Sequence, residues 1–157
     1  MANYPGKGTQ LFMAHPTTTW MQIGQVTDIS GVGGAMGTRD VTHLDSAAVE
    51  KATSIFDGGE TTISLIYDPN LDGHKTFQGL LTAPSTLVNA MVVNAVTFTG
   101  TTGGAIPFRV VLPSTTKQFG FLGVPKRMEV KGFTPQGTVM ADCTVEVSGI
   151  VSYPTTT

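Results

Sequence analysis

Residues 57–81, DGGETTISLIYDPNLDGHKTFQGLL, change their apolar period midway, and that change constrains the fold more than any other stretch. Asp57-Gly58-Gly59 is a turn signal. Thr61, Ile63, Leu65 and Tyr67 then alternate with Thr62, Ser64 and Ile66, a period of two rich in β-branched and aromatic residues, which predicts a strand. Asp68-Pro69-Asn70 ends it, because proline cannot continue the ladder and Asp and Asn favour turns. Phe77, Leu80 and Leu81 next fall at i, i+3 and i+4, the stripe of a short helix over about residues 72–82. Asp72 is placed to cap its N-terminus, and Pro84 limits its run. A helix this short needs a sheet to pack on, so the flanking segments have to supply one.

They carry the composition to do so. The chain has 157 residues, enough for one core, and we expect a single domain over 1–157. Its 19 glycines and 9 prolines favour many short strands. The formal net charge is −2, so no basic field points to nucleic acid. Charged residues make up 13% of the chain, half the usual quarter. No apolar run approaches the ~18 residues of a membrane span. A chain poor in charge yet without a membrane span is expected to bury surface against copies of itself, because charge is depleted at interface cores. The opening MANYPGKGTQ has no apolar signal region, which fits synthesis in the cytoplasm.

In order, residues 1–8 read as an N-terminal arm, Thr9 to His15 as a strand, and Trp20 to Ile29 as one longer strand. Ser30 to Phe56 is the oddity, a long loop with glycines at Gly31, Gly33, Gly34 and Gly37 and only a weak helical pattern over Ala47 to Ile55. A connection this long in a small domain is usually functional or disordered, and we read it as an arm that orders against a partner. Ser85 to Gly100 is ambiguous, with a strand expected from Val92 to Thr99. Ile106 to Leu112 is a strand, and Phe119 to Phe133 a long or bent one with Met128 and Val130 inward and Arg127, Glu129 and Lys131 outward. Thr138 to Val151 alternates most cleanly, with Cys143 among the buried valines and Asp142 and Glu146 on the polar face. Residues 153–157 form a tail expected to fray. Seven or eight strands and one helix predict a mainly β fold, a sandwich or barrel-like domain.

Signals for chemistry are weak. Gly31, Gly33 and Gly37 imitate a dinucleotide fingerprint, but β-favouring residues follow where a helix must begin. Asp68, Asn70 and Asp72, followed by Gly73, match the first half of an EF-hand calcium loop, yet Gly79 stands where its bidentate Glu belongs. His15, His43 and His74 show no metal spacing. Cys143 reads as a small core residue. We expect no cofactor, no bound metal and no catalysis.

The order of parts resembles the major tail tube proteins of long, non-contractile-tailed (siphovirus) bacteriophages. The resemblance is carried by Ile23-Gly24-Gln25-Val26-Thr27-Asp28-Ile29-Ser30-Gly31, Asp40-Val41-Thr42-His43-Leu44-Asp45-Ser46, Asp57-Gly58-Gly59-Glu60, the strand ending Tyr67-Asp68-Pro69 and the helix holding His74. It is clear over residues 20–81 and architectural beyond. It implies a β-sandwich flanked by a helix, six copies joined into a ring with one continuous β-barrel, and rings stacked into a hollow tube in the virion. It implies DNA passing through the tube, a tape-measure protein occupying it beforehand, and tail terminator and tail-tip proteins at its ends. The long loop then contacts a neighbouring subunit, through Gly31, Gly33, Gly34, Gly37, Arg39, Asp40, Thr42 and Asp45. A C-terminal immunoglobulin-like domain, carried by some members, is not expected. The lumen face is expected to be either Asp142 and Glu146 or Arg127, Glu129 and Lys131, two sets of opposite sign. The competing readings are a terminator or tail-tip ring, and a monomeric binding or adhesin module.

Overall fold

The computed structural model describes residues 8–14, 19–45, 47–83, 90–100, 104–113 and 117–154. Among them the elements run β1 (Gln10–Met13), β2 (Met21–Ile23), β3 (Val26–Ser30), β4 (Ala35–Asp40), β5 (Lys51–Asp57), β6 (Glu60–Ile66), α1 (Asp72–Thr82), β7 (Ala90–Val93), β8 (Val96–Thr99), β9 (Ile106–Val111), β10 (Gln118–Lys131) and β11 (Met140–Ser152). The fold is mainly β. Seven strands form one antiparallel sheet in the order β2-β1-β9-β10-β11-β6-β3, and β4–β5 and β7–β8 are separate hairpins.

The sheet order explains the shape. β2 and β3 are neighbours in the chain but lie at opposite ends of the sheet. Only Gly24 and Gln25 join them, so the sheet must curl until its two ends nearly meet. The corner is sharp: Gln25 sits at φ 58, and its carbonyl accepts the Ile66 N–H at 3.0 Å. This corrects the expectation of one strand from Trp20 to Ile29, since a left-handed residue cannot continue a ladder.

The concave side holds one core. Leu11, Met13, Ile63, Leu65, Ile106, Phe108, Phe121, Ala141 and Val145 come from alternate positions of five strands, and Phe77 and Leu80 come from the helix. Phe108 and Phe121 stack with centroids 5.5 Å apart. Each fully buried large side chain contributes about 1.5–3 kcal/mol. α1 seats directly on the corner. A Cβ at Gly73 would stand 2.6 Å from the Gln22 carbonyl oxygen, so only glycine lets the helix come this close. The next residue, His74, is fully buried; its Nδ1 accepts the Asp68 N–H at 3.0 Å and its Nε2 donates to the Gly24 carbonyl at 2.7 Å. That one ring ties the strand exit, the helix and the corner together.

Other expectations change in detail. The helix spans Asp72–Thr82, but its N-cap residue is Leu71 and no side chain caps it; Asp72 is already inside the first turn. The predicted strand over Val92 to Thr99 is a hairpin that turns at Asn94 and Ala95, both at positive φ. Its residues Val93 and Phe98 are buried, and a Cβ at Gly120 would collide with both. The tail begins held: the Tyr153 carbonyl accepts from Asn94 Nδ2 at 2.9 Å, while 155–157 and the arm residues 1–7 lie outside the described residues. His15 and Pro84 also fall outside them.

Candidate assembly surfaces

Alternation along β10, β11, β6 and β3 gives this half of the sheet a second, solvent-facing side. Cross-strand registers place its residues in rows. Glu129 pairs with Asp142, Asp142 with Ser64, and Ser64 with Asp28. One step along, Arg127 pairs with Thr144, Thr144 with Thr62, and Thr62 with Ser30. Glu146 pairs with Glu60. The two sets that the sequence poses as alternatives, Asp142 with Glu146 and Arg127, Glu129 with Lys131, therefore occupy adjacent strands of one face.

Their charges offset each other there. Lys131 Nζ donates to Asp142 Oδ2 at 2.6 Å, Ser64 Oγ donates to Asp142 Oδ1 at 3.0 Å, and Lys126 donates to Glu60. Arg127 lies 3.7 Å from Glu129 of its own strand. Hydrogen bonding from Lys131, then Ser64, holds the Asp142 carboxyl below its ordinary value, and the same contact raises Lys131. Glu60 likewise raises Lys126. The face carries Lys126, Arg127 and Lys131 against Asp28, Glu60, Glu129, Asp142 and Glu146, a surplus of two acids. Thr144 is buried among these side chains, beside Glu60, Lys126 and Arg127.

The same four strands end in two open edges. β9 pairs only with Gln118–Gly123 of β10, so Val124–Lys131 has no strand beside it on that side among the described residues. Among the described residues β3 is the last strand of the sheet and pairs only with β6. A bulge at Pro125/Arg127 marks where β10 leaves β9; proline is tolerated there because it has no N–H to leave unpaired. The four strands alternate in direction, so β3 and the open part of β10 run opposite ways.

The third surface is the segment predicted as a loop. It is a β-hairpin, β4–β5, and the weak helical pattern over 47–55 gives way to strand Lys51–Asp57. Both faces are largely exposed, so no alternation marks it in the sequence. It continues the β3–β6 pair beyond a joint of opposed glycines. Gly31, Gly33 and Gly34 stand on one side and Gly58 and Gly59 on the other, and Gly31, Gly33 and Gly59 have positive φ. Gly37, Arg39 and Asp40 lie on β4, with Thr42 and Asp45 at the tip. The tip is pinned by Thr42: its N–H donates to Asp40 Oδ1 and its Oγ1 accepts the Glu50 N–H, each at 2.8 Å. These contacts with Thr42 lower the Asp40 carboxyl below its ordinary value. Met36, Val41, Leu44, Val49 and Ile55 are exposed along the arm, Leu44 completely. An ordered hairpin presenting that much apolar surface is a candidate for contact with another molecule.

The remaining candidates do not converge. Asp68 Oδ1 accepts the Asn70 N–H at 2.9 Å in a local turn, and Asp72 lies 3.9 Å from the Lys75 ammonium, where a cation would compete. Among the described residues no group of three or more His, Cys, Asp or Glu side chains gathers. β4 follows the glycines where a dinucleotide site needs a helix. Cys143 is buried, and burial pushes its thiol up to about 12. One cluster went unread in the sequence. Arg109 on β9 lies between Phe12 (4.5 Å) and Trp20 (4.8 Å), with Nη1 donating to Gln118 at 3.4 Å. Its partners are far apart in the chain; the β1–β9 register brings Phe12 to it, the β9–β10 pairing brings Gln118, and Trp20 comes from the residue before β2.

A family model described as the lambda-like phage tail tube matches residues 3–156. The chain belongs to that family. It is a structural protein of the phage tail tube, and its place is the virion tail. Solved structures share the fold of this tail tube protein. A protein of the native gene transfer agent virion aligns over 98% of this chain and 100% of its own, at 13% identity and TM-score 0.67. The SPP1 tail tube protein aligns over 98% and 81%, at 10% identity and TM-score 0.64. The cap that terminates the anti-feeding prophage tube aligns over 99% and 93%, at 12% identity and TM-score 0.68. A search of curated protein sequences finds no match. No helix among the described residues is long and apolar enough to cross a membrane.

Proposed function

We propose that this tail tube protein forms a ring of six copies by joining the β3 edge of one copy to the open edge of β10 in the next. The observation that carries this is the four-strand half-sheet β10-β11-β6-β3, with an edge at each end that is unpaired among the described residues and strand directions that would alternate across the join. Adding a strand to an open edge satisfies a row of backbone groups and removes an aggregation hazard at once. Two different edges meeting head to tail make a heterologous contact, which closes into a ring when the rotation allows. Six is supported by the C6 symmetry of the related gene transfer agent tail.

In such a ring the half-sheet lines the lumen with its polar face. The paired charges and the surplus of acids suit a conduit for double-stranded DNA, because they leave little free positive charge to grip phosphates. A tape-measure protein fills the same space before ejection. The β4–β5 arm leaves the ring from one end and docks its apolar side chains on the neighbouring ring, so stacking builds the tube. Terminator and tip proteins cover the last rings. The protein then acts as a structural unit and catalyses nothing.

Negative-stain electron microscopy of the concentrated protein tests the ring and the stack together; hollow tubes with a regular axial repeat are expected. Because Ala35 and Asp57 are cross-strand partners, residues 36–56 can be replaced by Asn-Gly, a dipeptide suited to close a two-residue hairpin. The shortened protein should fold and form rings but no tubes; normal tubes would refute the arm's role. A tube-terminating cap is the second reading, favoured by the anti-feeding prophage cap having the same fold. It predicts rings from the wild type that never stack.

A further inference from the structure

We propose that Asp28 pairs with Arg127 of the adjoining copy, and that this pair sets a two-residue stagger between neighbouring subunits of the ring. The inference rests on the β3-to-β10 join described above and names what fixes its register.

Charge is distributed unevenly between the two edges. The open stretch of β10 carries Lys126, Arg127 and Lys131 against one acid, Glu129. The opposite edge carries Asp28 on β3 with Glu60 on the adjacent β6. Two of the three bases are already engaged inside the subunit, Lys126 by Glu60 and Lys131 by Asp142. Arg127 has only Glu129 of its own strand, at 3.7 Å, with both side chains more than half exposed. Asp28 is exposed at the far edge.

The registers decide how these meet. Glu129, Asp142, Ser64 and Asp28 lie in one row across the half-sheet. If copies joined flush, each row would continue into itself, and Asp28 would face Glu129 of the next copy. Like charges directly opposite are destabilising. A shift of one residue would turn the polar face inward, so only even shifts are open. A shift of two places Asp28 opposite either Arg127 or Lys131, the residues flanking Glu129. Lys131 is held by Asp142, which leaves Arg127. The stagger agrees with barrel geometry, since closing tilted strands requires a fixed shear that a flush join lacks. Glu129 between two bases thus acts against the wrong register while Arg127 favours the right one.

The test is a charge swap. Asp28→Lys and Arg127→Asp are prepared separately, and each is checked for wild-type folding by circular dichroism and thermal melting. Alone, each puts like charges at every join and should raise the concentration needed for ring assembly at least about tenfold. Asp28→Ala should change it by less than about fivefold, because an exposed pair is worth little by itself. Mixed in equal amounts, the two variants should assemble, since alternation around an even-membered ring restores an opposite pair at every join. Assembly of either single variant like wild type overturns the proposal, as does a mixture that stays unassembled. Failure of the ring reading looks different: wild-type protein then forms no rings joined through β3 and β10, whatever residue 28 carries.

Discussion

Ala95 occupies a position where the backbone favours another residue. It is the second turn residue of the β7–β8 hairpin, at φ 66, after Asn94 at φ 53. Both angles belong to the type I′ turn, whose preferred sequence is Asn-Gly. Asn94 suits the turn and also spends its amide on the Gln118 and Tyr153 carbonyls. Ala95 has a Cβ in a left-handed conformation and no such compensation. Ala95→Gly should therefore stabilise the subunit by about 0.5–1 kcal/mol, read as a raised urea midpoint at unchanged slope. The sequence shows why this turn is hard to find. Asn-Ala is no turn signature, so Val92 to Thr99 reads as one strand. His74, in the first turn of the helix, shows no metal spacing in the sequence, and the structure makes it a buried hydrogen-bonding residue.

At the scale of elements, strands with one buried side were legible and strands with two exposed sides were not. β11 is announced by alternation from Val139 to Val147, and β6 by Thr61, Ile63 and Leu65. β4 and β5 bury little, so residues such as Thr38, Arg39, Thr53 and Ser54 carry no period, and the segment reads as a loop. What the sequence does show is the glycine clusters that bound the hairpin. Gly31 is the most constrained of them. It has φ +85, and a Cβ there would stand 2.4 Å from the Glu60 carbonyl oxygen. Gly59, at φ +67, has nothing within 4 Å of its Cβ position. Gly31→Ala should cost about 2–3 kcal/mol from strain plus a clash with backbone, and Gly59→Ala about 1 kcal/mol from strain alone. Chemical denaturation of the two variants checks the ranking. The polar face was half legible for a related reason: its residues follow from alternation, but neighbouring strands come from distant parts of the chain, and only the β10–β11–β6–β3 registers reveal that the two candidate sets share it.

For the whole molecule, the ion pairs on the polar face set a pH window. The Asp142 carboxyl lies below its ordinary value of 3.8 in the folded protein, so its contribution to stability is complete above that value and is lost as pH falls through the lower, folded pKa. Lys131 and Lys126 lie above their ordinary value of 10.5, so their contributions are complete below it and are lost as pH rises through the higher, folded pKa. Thermal melts between about pH 4 and pH 10 should show no loss from these pairs, with decline on both sides. Replacing Lys131 with Met should flatten the alkaline limb while leaving the fold intact. Family and architecture were legible from the sequence because they depend on the order of turns, glycines and periods. The edges were not, since an unpaired edge is a property of a finished sheet.

In the proposed ring, those two edges also determine how a population of subunits behaves. A chain of joined copies keeps one unsatisfied β3 at one end and one unsatisfied β10 at the other, however many copies it gains. Only closure removes both, so the closing step adds a contact without adding a subunit and without the translational cost of recruiting one. Open chains are then short-lived species between free subunits and complete rings. Assembly behaves as a threshold phenomenon, with few intermediates to stall in and a sharp onset as the supply of subunits rises.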